Sequence, residues 1–250
     1  MNKDAPVALI TGAGAGFGRE LARSFAADGT RVVVTDIDLG AAQVLADELK
    51  RSDRVALPVQ VDVADIESME RAVREVEEVF GRLDVLVNNA GRHLTTYSRP
   101  FSELSPDQLR GCVDVNVMGV VYGTLACRPL MAKSGGGSVV NLSSIAAYEV
   151  VSIYGVTKLA VRGLTTAFAH ELAADGIRVN AVAPGLMATE AALADLGDEV
   201  YDDFVNGRQL VKRRGEMKDV VDTIRFLCSP EASFITGETI KVSGGYPLLL

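Results

Sequence analysis

The chain has 250 residues, 48% hydrophobic and 23% charged, an ordinary balance for a globular protein with a sizeable core. Lys plus Arg number 25 against 33 Asp plus Glu, a formal charge of −8, so the electrostatic footprint of a nucleic-acid binder is missing. Three scattered cysteines (Cys112, Cys127, Cys228) and two distant histidines (His93, His170) lack metal-ligand spacing: no metal is expected, and the thiols suit a reducing compartment.

The N-terminal Met1 to Pro6 runs straight into an apolar strand, which leaves no room for a signal peptide. No unbroken apolar window reaches the length of a membrane span, so a cytoplasmic protein without a membrane partner is expected. The first strand, Val7 to Ile10, is followed by Thr11-Gly12-Ala13-Gly14-Ala15-Gly16-Phe17-Gly18 and an amphipathic run from Arg19 to Asp28. Strand, glycine turn and helix together make a phosphate site. Glycines admit a pyrophosphate without a Cβ in the way, and the helix presents unpaired N–H groups and a positive dipole end. The spacing Gly12-x-x-x-Gly16-x-Gly18 differs from the commoner Gly-x-Gly-x-x-Gly. A glycine turn kept for geometry alone would look the same.

A second buried strand, Arg31 to Asp36, ends in an acid twenty residues beyond Gly16, where a dinucleotide's ribose hydroxyls belong. A carboxylate there accepts from the hydroxyls and repels a 2′-phosphate, and Ala15 and Ile37 flank it rather than arginines, which points to NAD over NADP. Asp36 could instead cap the helix Leu39 to Leu49, a role Asp38 could fill equally. The next strand, Val55 to Val61, ends in Asp62-Val63, an acid and an apolar wall suited to an adenine. Asp65 heads the charged helix Ile66 to Phe80. Strand Leu83 to Val87 then leads to Asn88-Asn89-Ala90-Gly91, small and amide groups that leave space for a ligand. This alternation predicts a doubly wound α/β fold: a parallel sheet with helices on both faces, in one domain.

His93 to Glu103 reads as loop, and Pro106 to about Lys133 as a long helix containing Asn116, a residue usually outward or locally bonded in that setting. The fifth strand, Ser138 to Leu142, ends in Ser143-Ser144. Tyr154-Gly155-Val156-Thr157-Lys158 heads an amphipathic helix in which Val156, Leu159, Ala160, Gly163, Leu164, Ala167 and Phe168 recur at helical spacing. Tyr154 and Lys158, four apart, share a face. A sixth strand, Ile177 to Val182, leads to Pro184-Gly185. A helical excursion from Thr189 to Val205, a helix from Met217 to Leu227 and a last strand from Glu238 to Val242 complete the chain.

In this order, Thr11-Gly12-x-x-x-Gly16-x-Gly18, Asp62, Asn88-Asn89-Ala90-Gly91, Asn116, Ser144, Tyr154-x-x-x-Lys158, Asn180 and Pro184-Gly185 resemble the short-chain dehydrogenase/reductase family along nearly the whole chain. The resemblance implies a Rossmann-type sheet of about seven strands and an NAD(P)-linked redox site. It assigns catalysis to Ser144, Tyr154 and Lys158, with Asn116 supporting a water relay. Cofactor contacts fall to Gly12, Gly16, Phe17, Gly18, Asp36, Asp62, Val63, Asn89, Ala90, Gly91, Pro184, Gly185 and Thr189, with Tyr154 and Lys158 at the nicotinamide end. Tyrosine starts near pKa ~10, so use near neutral pH needs a drop of roughly 3 units, about 4 kcal/mol, from the Lys158 ammonium and a positive nicotinamide.

The interval from Ser144 to Tyr154, 154 − 144 = 10 residues, is a few shorter than in most of the family and holds Ala146-Ala147-Tyr148-Glu149; Ser143 is the fallback for Ser144. The leading expectation is an NAD-dependent dehydrogenase of a secondary alcohol or ketone: a hydroxysteroid, polyol or hydroxyacyl compound. A 3-oxoacyl thioester reductase acting on an acyl-carrier protein and a non-catalytic nucleotide sensor are the alternatives. Substrate loops are placed at 93–101, 146–153 and 186–210, with Tyr97, Phe101, Tyr148, Tyr201 and Phe204 lending them apolar character. A homotetramer pairing the helices 106–133 and 152–174 is expected, and the apolar tail Tyr246 to Leu250 should pack at a subunit contact or over the substrate.

Overall fold

A computed structural model describes residues 4–92 and 94–248. Seven strands, β1 (Val7–Thr11), β2 (Arg31–Asp36), β3 (Ala56–Gln60), β4 (Val85–Asn88), β5 (Gly137–Leu142), β6 (Ile177–Pro184) and β7 (Thr239–Val242), form one sheet in the order β3-β2-β1-β4-β5-β6-β7. Every pairing is parallel. The helices are α1 (Gly16–Ala27), α2 (Leu39–Arg51), α3 (Ile66–Phe80), a single turn α4 (Leu94–Tyr97), α5 (Pro106–Val113), α6 (Gly119–Lys133), α7 (Ile153–Glu171), α8 (Glu190–Gly207) and α9 (Met217–Cys228). This is the doubly wound α/β arrangement of the Rossmann type.

Side chains alternate between the sheet's faces, so β1 feeds two cores. Ala8 and Ile10 join one built with α1, α2 and α9, through Leu21, Leu45 and Ile224. Val7 and Leu9 join the other, built with α3, α6 and α7, through Met69, Leu130 and Phe168. Strand order reverses direction between β1 and β4, which opens a crevice at their carboxyl ends. The glycine turn leaves β1 there, and Asn88 to Gly91 leave β4 beside it.

Several elements differ from the sequence reading. Helix α1 begins at Gly16 rather than Arg19, so two of the glycines lie in its first turn. The segment after His93, itself outside the described residues, contains α4 and a 3-10 turn, Phe101–Glu103, where a loop was expected. The long helix is interrupted by a π turn, Asp114–Met118, between α5 and α6. Taken together, Pro106–Lys133 is long and apolar enough by composition to cross a membrane. Here it packs against α3 and β4, and its Arg128 pairs with Glu171 and Asp175 at 2.8 and 2.7 Å. On α7 the first part of the apolar stripe does not face the core: Val156 and Leu159 are 43% and 45% exposed, the buried face there carries Thr157, Lys158, Val161 and Thr165, and only towards its end does the stripe reach the core, through Phe168.

Candidate active site

The crevice holds a cavity of about 850 Å³ whose walls include Gly12, Gly16, Phe17, Asp36, Asp62, Val63, Asn89, Ala90, Gly91 and Thr189. Three glycines of the turn are required for three different reasons. Gly12 has φ +62° and a Cβ there would stand 2.9 Å from Ala90 Cα. At Gly18 a Cβ would stand 2.2 Å from the Gly12 carbonyl oxygen, so this residue serves packing and does not line the cavity. Gly16 has φ +52°, and nothing lies within 4 Å of the Cβ it lacks: its free side faces open space. Asn89 fixes the turn by donating from Nδ2 to the carbonyls of Thr11 (2.8 Å) and Gly12 (3.1 Å). Thr11 Oγ1 in return accepts from the N–H groups of Asn89 and Ala90, both at 3.0 Å.

Side chains cap α2, α3, α5 and α7, namely Asp38, Asp65, Ser105 and Ser152. Helix α1 starts from Ala15 with no side-chain cap. Its first-turn N–H groups and dipole end are left for an anion, and a pyrophosphate fits that cradle. The ambiguity between Asp36 and Asp38 is resolved by hydrogen bonds. Asp38 caps α2 through Gly40 and Ala41 N–H. Asp36 Oδ2 accepts from Gly14 N–H at 2.9 Å and Oδ1 from Asp38 N–H at 3.0 Å, which aims the carboxylate at the cavity wall.

One expectation about this corner needs correcting. The sequence reading placed no arginine beside Asp36, yet Arg19 reaches back from α1 to donate Nε (3.0 Å) and Nη2 to the Gly14 carbonyl and lines the same cavity. Arg92, Asp114, Val115 and Met217 also line it and were not singled out. Arg92 directly follows Gly91, a signal the sequence carried; Asp114 and Val115 are brought there by the π turn, which it did not.

The residues that the resemblance assigns to catalysis meet beyond this cradle. Ser152 caps α7 by accepting from Gly155 N–H at 3.3 Å, which sets Tyr154 and Lys158 in the first turns. Lys158 is 6% exposed; its Nζ donates to the Leu142 carbonyl at 2.7 Å and stands 5.6 Å from the Tyr154 ring centroid. Ser144 forms a hydrogen bond with the Tyr154 side chain and accepts from Ala146 N–H at 3.2 Å. The fallback Ser143 is buried and donates to the Lys158 carbonyl at 2.9 Å, away from the phenol.

Asn116 departs from the expectation for an asparagine within a helix. It is 1% exposed, accepts from Arg92 N–H at 2.7 Å through Oδ1 and donates to Thr157 Oγ1 at 3.0 Å. The π turn supplies the extra residue that swings it inward. A Cβ on Gly91 would lie 3.3 Å from Asn116 Oδ1 and 3.6 Å from Lys158 Nζ, so a glycine lets β4's exit pass both groups.

Electrostatics also differ from expectation. Burial pushes the Tyr154 phenol up to about 12, only partly countered by the Ser144 hydrogen bond. Burial lowers Lys158 to about 8, with Cys112 opposing. The protein alone therefore does not depress the tyrosine, because the low-polarity setting that would strengthen the ammonium's field also discourages its charge.

Pro184, Gly185 and Asn180 are tied into the sheet at the carboxyl end of β6. Pro184 ends β6 opposite Val242, and Gly185 N–H donates to the Val242 carbonyl at 2.8 Å. Asn180 ties Ile235 and Glu238 backbone groups at 2.9 and 3.1 Å. Two of the aromatics expected in the substrate loops are core residues. Tyr97 packs with Leu104, Cys112 and Ile153, and Tyr201 is fully buried with its hydroxyl donating to the Met187 carbonyl at 2.8 Å.

Comparison with known proteins agrees with this architecture. The profile described as Enoyl-(Acyl carrier protein) reductase matches residues 12–247. A 7alpha-hydroxysteroid dehydrogenase of Bacteroides fragilis is 35% identical over 242 residues, covering 96% of this chain and 93% of that protein. A 3-oxoacyl-[acyl-carrier-protein] reductase of Staphylococcus aureus is 36% identical over 242 residues, covering 95% and 96%. The solved structure of a 7 alpha-hydroxysteroid dehydrogenase complexed with NADH and 7-oxo glycochenodeoxycholic acid superposes with a TM-score of 0.88 at 32% identity, covering 97% of this chain and 94% of that one.

Proposed function

This chain belongs to the short-chain dehydrogenase/reductase family of oxidoreductases, and on that premise we propose that it interconverts a secondary alcohol and its ketone using NAD(H). The observation that carries this reading is the meeting of Ser144, Tyr154 and Lys158 beside the cavity that the bare N-terminus of α1 faces. A nicotinamide cofactor, when bound, supplies or accepts the hydride. Gly16 and the first turn of α1 hold its pyrophosphate, Asp36 its adenine ribose, and Asp62 with Val63 its adenine. Thr189 meets the carboxamide, as the resemblance implies.

Ser144 Oγ holds the substrate oxygen by hydrogen bond. Tyr154 Oη takes the hydroxyl proton in oxidation and returns one in reduction. Lys158, anchored on the Leu142 carbonyl, supports the phenolate, and Asn116 next to it supports the proton path onward. The reading includes one domain, with substrate-bordering segments at about 93–101, 146–153 and 186–210. It also includes a homotetramer formed through α5–α6 and α7, where Val113, Leu125, Val156 and Leu159 leave an apolar face 36%, 39%, 43% and 45% exposed.

A second reading, a 3-oxoacyl thioester reductase using NADPH, is favoured by the Staphylococcus aureus relative and by Arg19 at the Asp36 corner. Asp36 weighs against it, since its carboxylate would repel a 2′-phosphate. The test follows reduced-cofactor absorbance with NAD+ or NADP+ and a panel of hydroxysteroids, polyols and hydroxyacyl thioesters, with Tyr154→Phe as control. Turnover with NAD+ that is lost in the variant is the expected result. Preference for NADP+ with the thioesters would replace the first reading with the second, and cofactor binding without turnover of any compound would favour a nucleotide sensor.

A further inference from the structure

In the short segment from Ser144 to Tyr154, Ala147 and Ile153 are buried, but between them Val150 and Val151 are 40% and 83% exposed, so its middle is not fastened by a core of its own. A tie to this middle part comes from the far end of the chain. The Tyr246 hydroxyl donates to the Glu149 carboxylate, 2.8 and 2.7 Å from its two oxygens. Arg208 Nη1 donates to the same hydroxyl at 3.0 Å. The Tyr246 ring sits edge-on to Phe204, 5.2 Å between centroids at 84°. Phe204 lies in the last turns of α8 and Arg208 just past its end.

One side chain therefore joins two segments separated by dozens of residues, in the charge order carboxylate, phenol, guanidinium. A direct surface pair of Glu149 and Arg208 would fix little. Routing it through a ring already seated on Phe204 fixes both distance and direction. A second tie strengthens the same corner: the Tyr148 ring lies between the Arg162 guanidinium at 3.9 Å and the Lys241 ammonium at 5.0 Å, and Lys241 also donates to the Pro247 carbonyl at 2.7 Å. Of the apolar tail, Tyr246 and Pro247 are engaged, Leu248 is 70% exposed, and Leu249 and Leu250 lie outside the described residues.

We propose that Tyr246 is a positioning residue, latching the Ser144–Tyr154 segment to the end of α8 and so setting the width of the substrate entrance between them. This rests on the dehydrogenase reading insofar as those segments border the substrate. The latch replaces the residues that the short segment lacks. It acts on substrate fit and leaves the proton chemistry at Tyr154 alone.

The test uses Tyr246→Phe, which keeps the ring on Phe204 and removes only the hydroxyl, beside Glu149→Ala, Glu149→Gln and the double variant Y246F/E149A. Steady-state kinetics on the best alcohol are paired with hydrogen exchange of the free protein. The expected result is a roughly three- to tenfold rise in the alcohol KM for Y246F and E149A, with kcat and the NAD+ KM within about twofold. The double variant should be no worse than either single one, and E149Q, whose amide oxygen still accepts the hydroxyl, should stay near wild type. Exchange should quicken at 145–152 and 200–210 and stay unchanged in the sheet. Unchanged exchange in those two segments, quickening spread through the sheet, additive variants, or a fall in kcat with KM unmoved would each overturn the proposal. The exchange arm needs no turnover, so an absence of any substrate would sink the dehydrogenase reading while the latch is still decided by exchange.

Discussion

Lys158 offers the sharpest physical test, because its charge is held in a place that discourages charge. Burial brings its ammonium from an ordinary 10.5 down to about 8. The difference of about 2.5 units corresponds to about 3 kcal/mol at 1.36 kcal/mol per unit. Below about pH 8 both folded and unfolded chains carry the proton, and the folded chain bears the full cost of burying it. Between about pH 8 and 10.5 the folded chain releases the proton while the unfolded chain keeps it. Unfolding then takes up protons, so stability rises with pH across that window. The gain reaches about 2 kcal/mol by about pH 9.5 and is complete above about pH 10.5. Lys158→Met removes the gain.

Urea unfolding of both proteins, at one protein concentration and several pH values from about 7 to 10, isolates the effect as a difference between curves. Titrations of groups that do not interact with Lys158 are common to both proteins and cancel; that of Tyr154, which weakens the fold only above about pH 10, where the unfolded chain loses the phenol proton first, falls outside the compared range. Loss of the Lys158 bond to the Leu142 carbonyl adds an offset independent of pH. A wild-type minus variant difference that stays flat from about pH 7 to 10 would refute the argument, since it would mean that Lys158 titrates as it does in water.

The glycine turn separates packing from ligand contact. Gly18→Ala sets a Cβ 2.2 Å from the Gly12 carbonyl oxygen, so a loss of about 3 kcal/mol or more in urea unfolding is expected. Gly16→Ala meets no atom within 4 Å and bears only left-handed strain at φ +52°, about 1–2 kcal/mol, while the NAD+ Kd measured by fluorescence titration should rise more than about tenfold. A Kd within about twofold of wild type would remove the phosphate from this turn. Asp36→Ser should raise the NADP+ to NAD+ ratio of kcat/KM by about a hundredfold, as repulsion of the 2′-phosphate is relieved and Arg19 stays in reach; an unchanged ratio would show that another group reads the ribose. Val156→Glu with Leu159→Glu places two charges on the exposed face of α7, so light scattering should show a smaller assembly than the wild type; equal masses would rule this face out as the contact.

The alternation of strands and helices was legible in residues 7 to 142 because the buried parallel strands are short, largely apolar runs closed by a glycine, asparagine, serine or acid. The reversal of strand order beside β1, which places the crevice, came only with the folded sheet. The chemistry of the site was legible for a different reason. Tyr154 and Lys158 lie one helical turn apart, so local geometry alone puts them on one face. The glycines around Gly16 likewise act within their own turn.

What sequence alone left undecided depends on partners brought from elsewhere. Asp36 and Asp38 were equivalent as letters; only the folded turn decides that Gly14 N–H meets one and the α2 N-terminus the other. Asn116 became a buried bridge because a π turn rotates it toward Arg92 and Thr157, distant in the chain. The apolar stripe of α7 gave the helix and its period, but a period does not say which side meets the sheet: Val156 and Leu159 stay outside, while Lys158 goes in with Phe168. The bridge from Tyr246 to Glu149 spans 97 residues and leaves no local trace. Helix period, turn geometry and strand alternation act over a few residues, so sequence by itself determined the fold class and the shared face of Tyr154 and Lys158. Burial, charge and contacts between distant segments exist only after packing, so the tertiary structure alone decided the burial that shifts Tyr154 and Lys158 and the tie between Glu149, Tyr246 and Arg208.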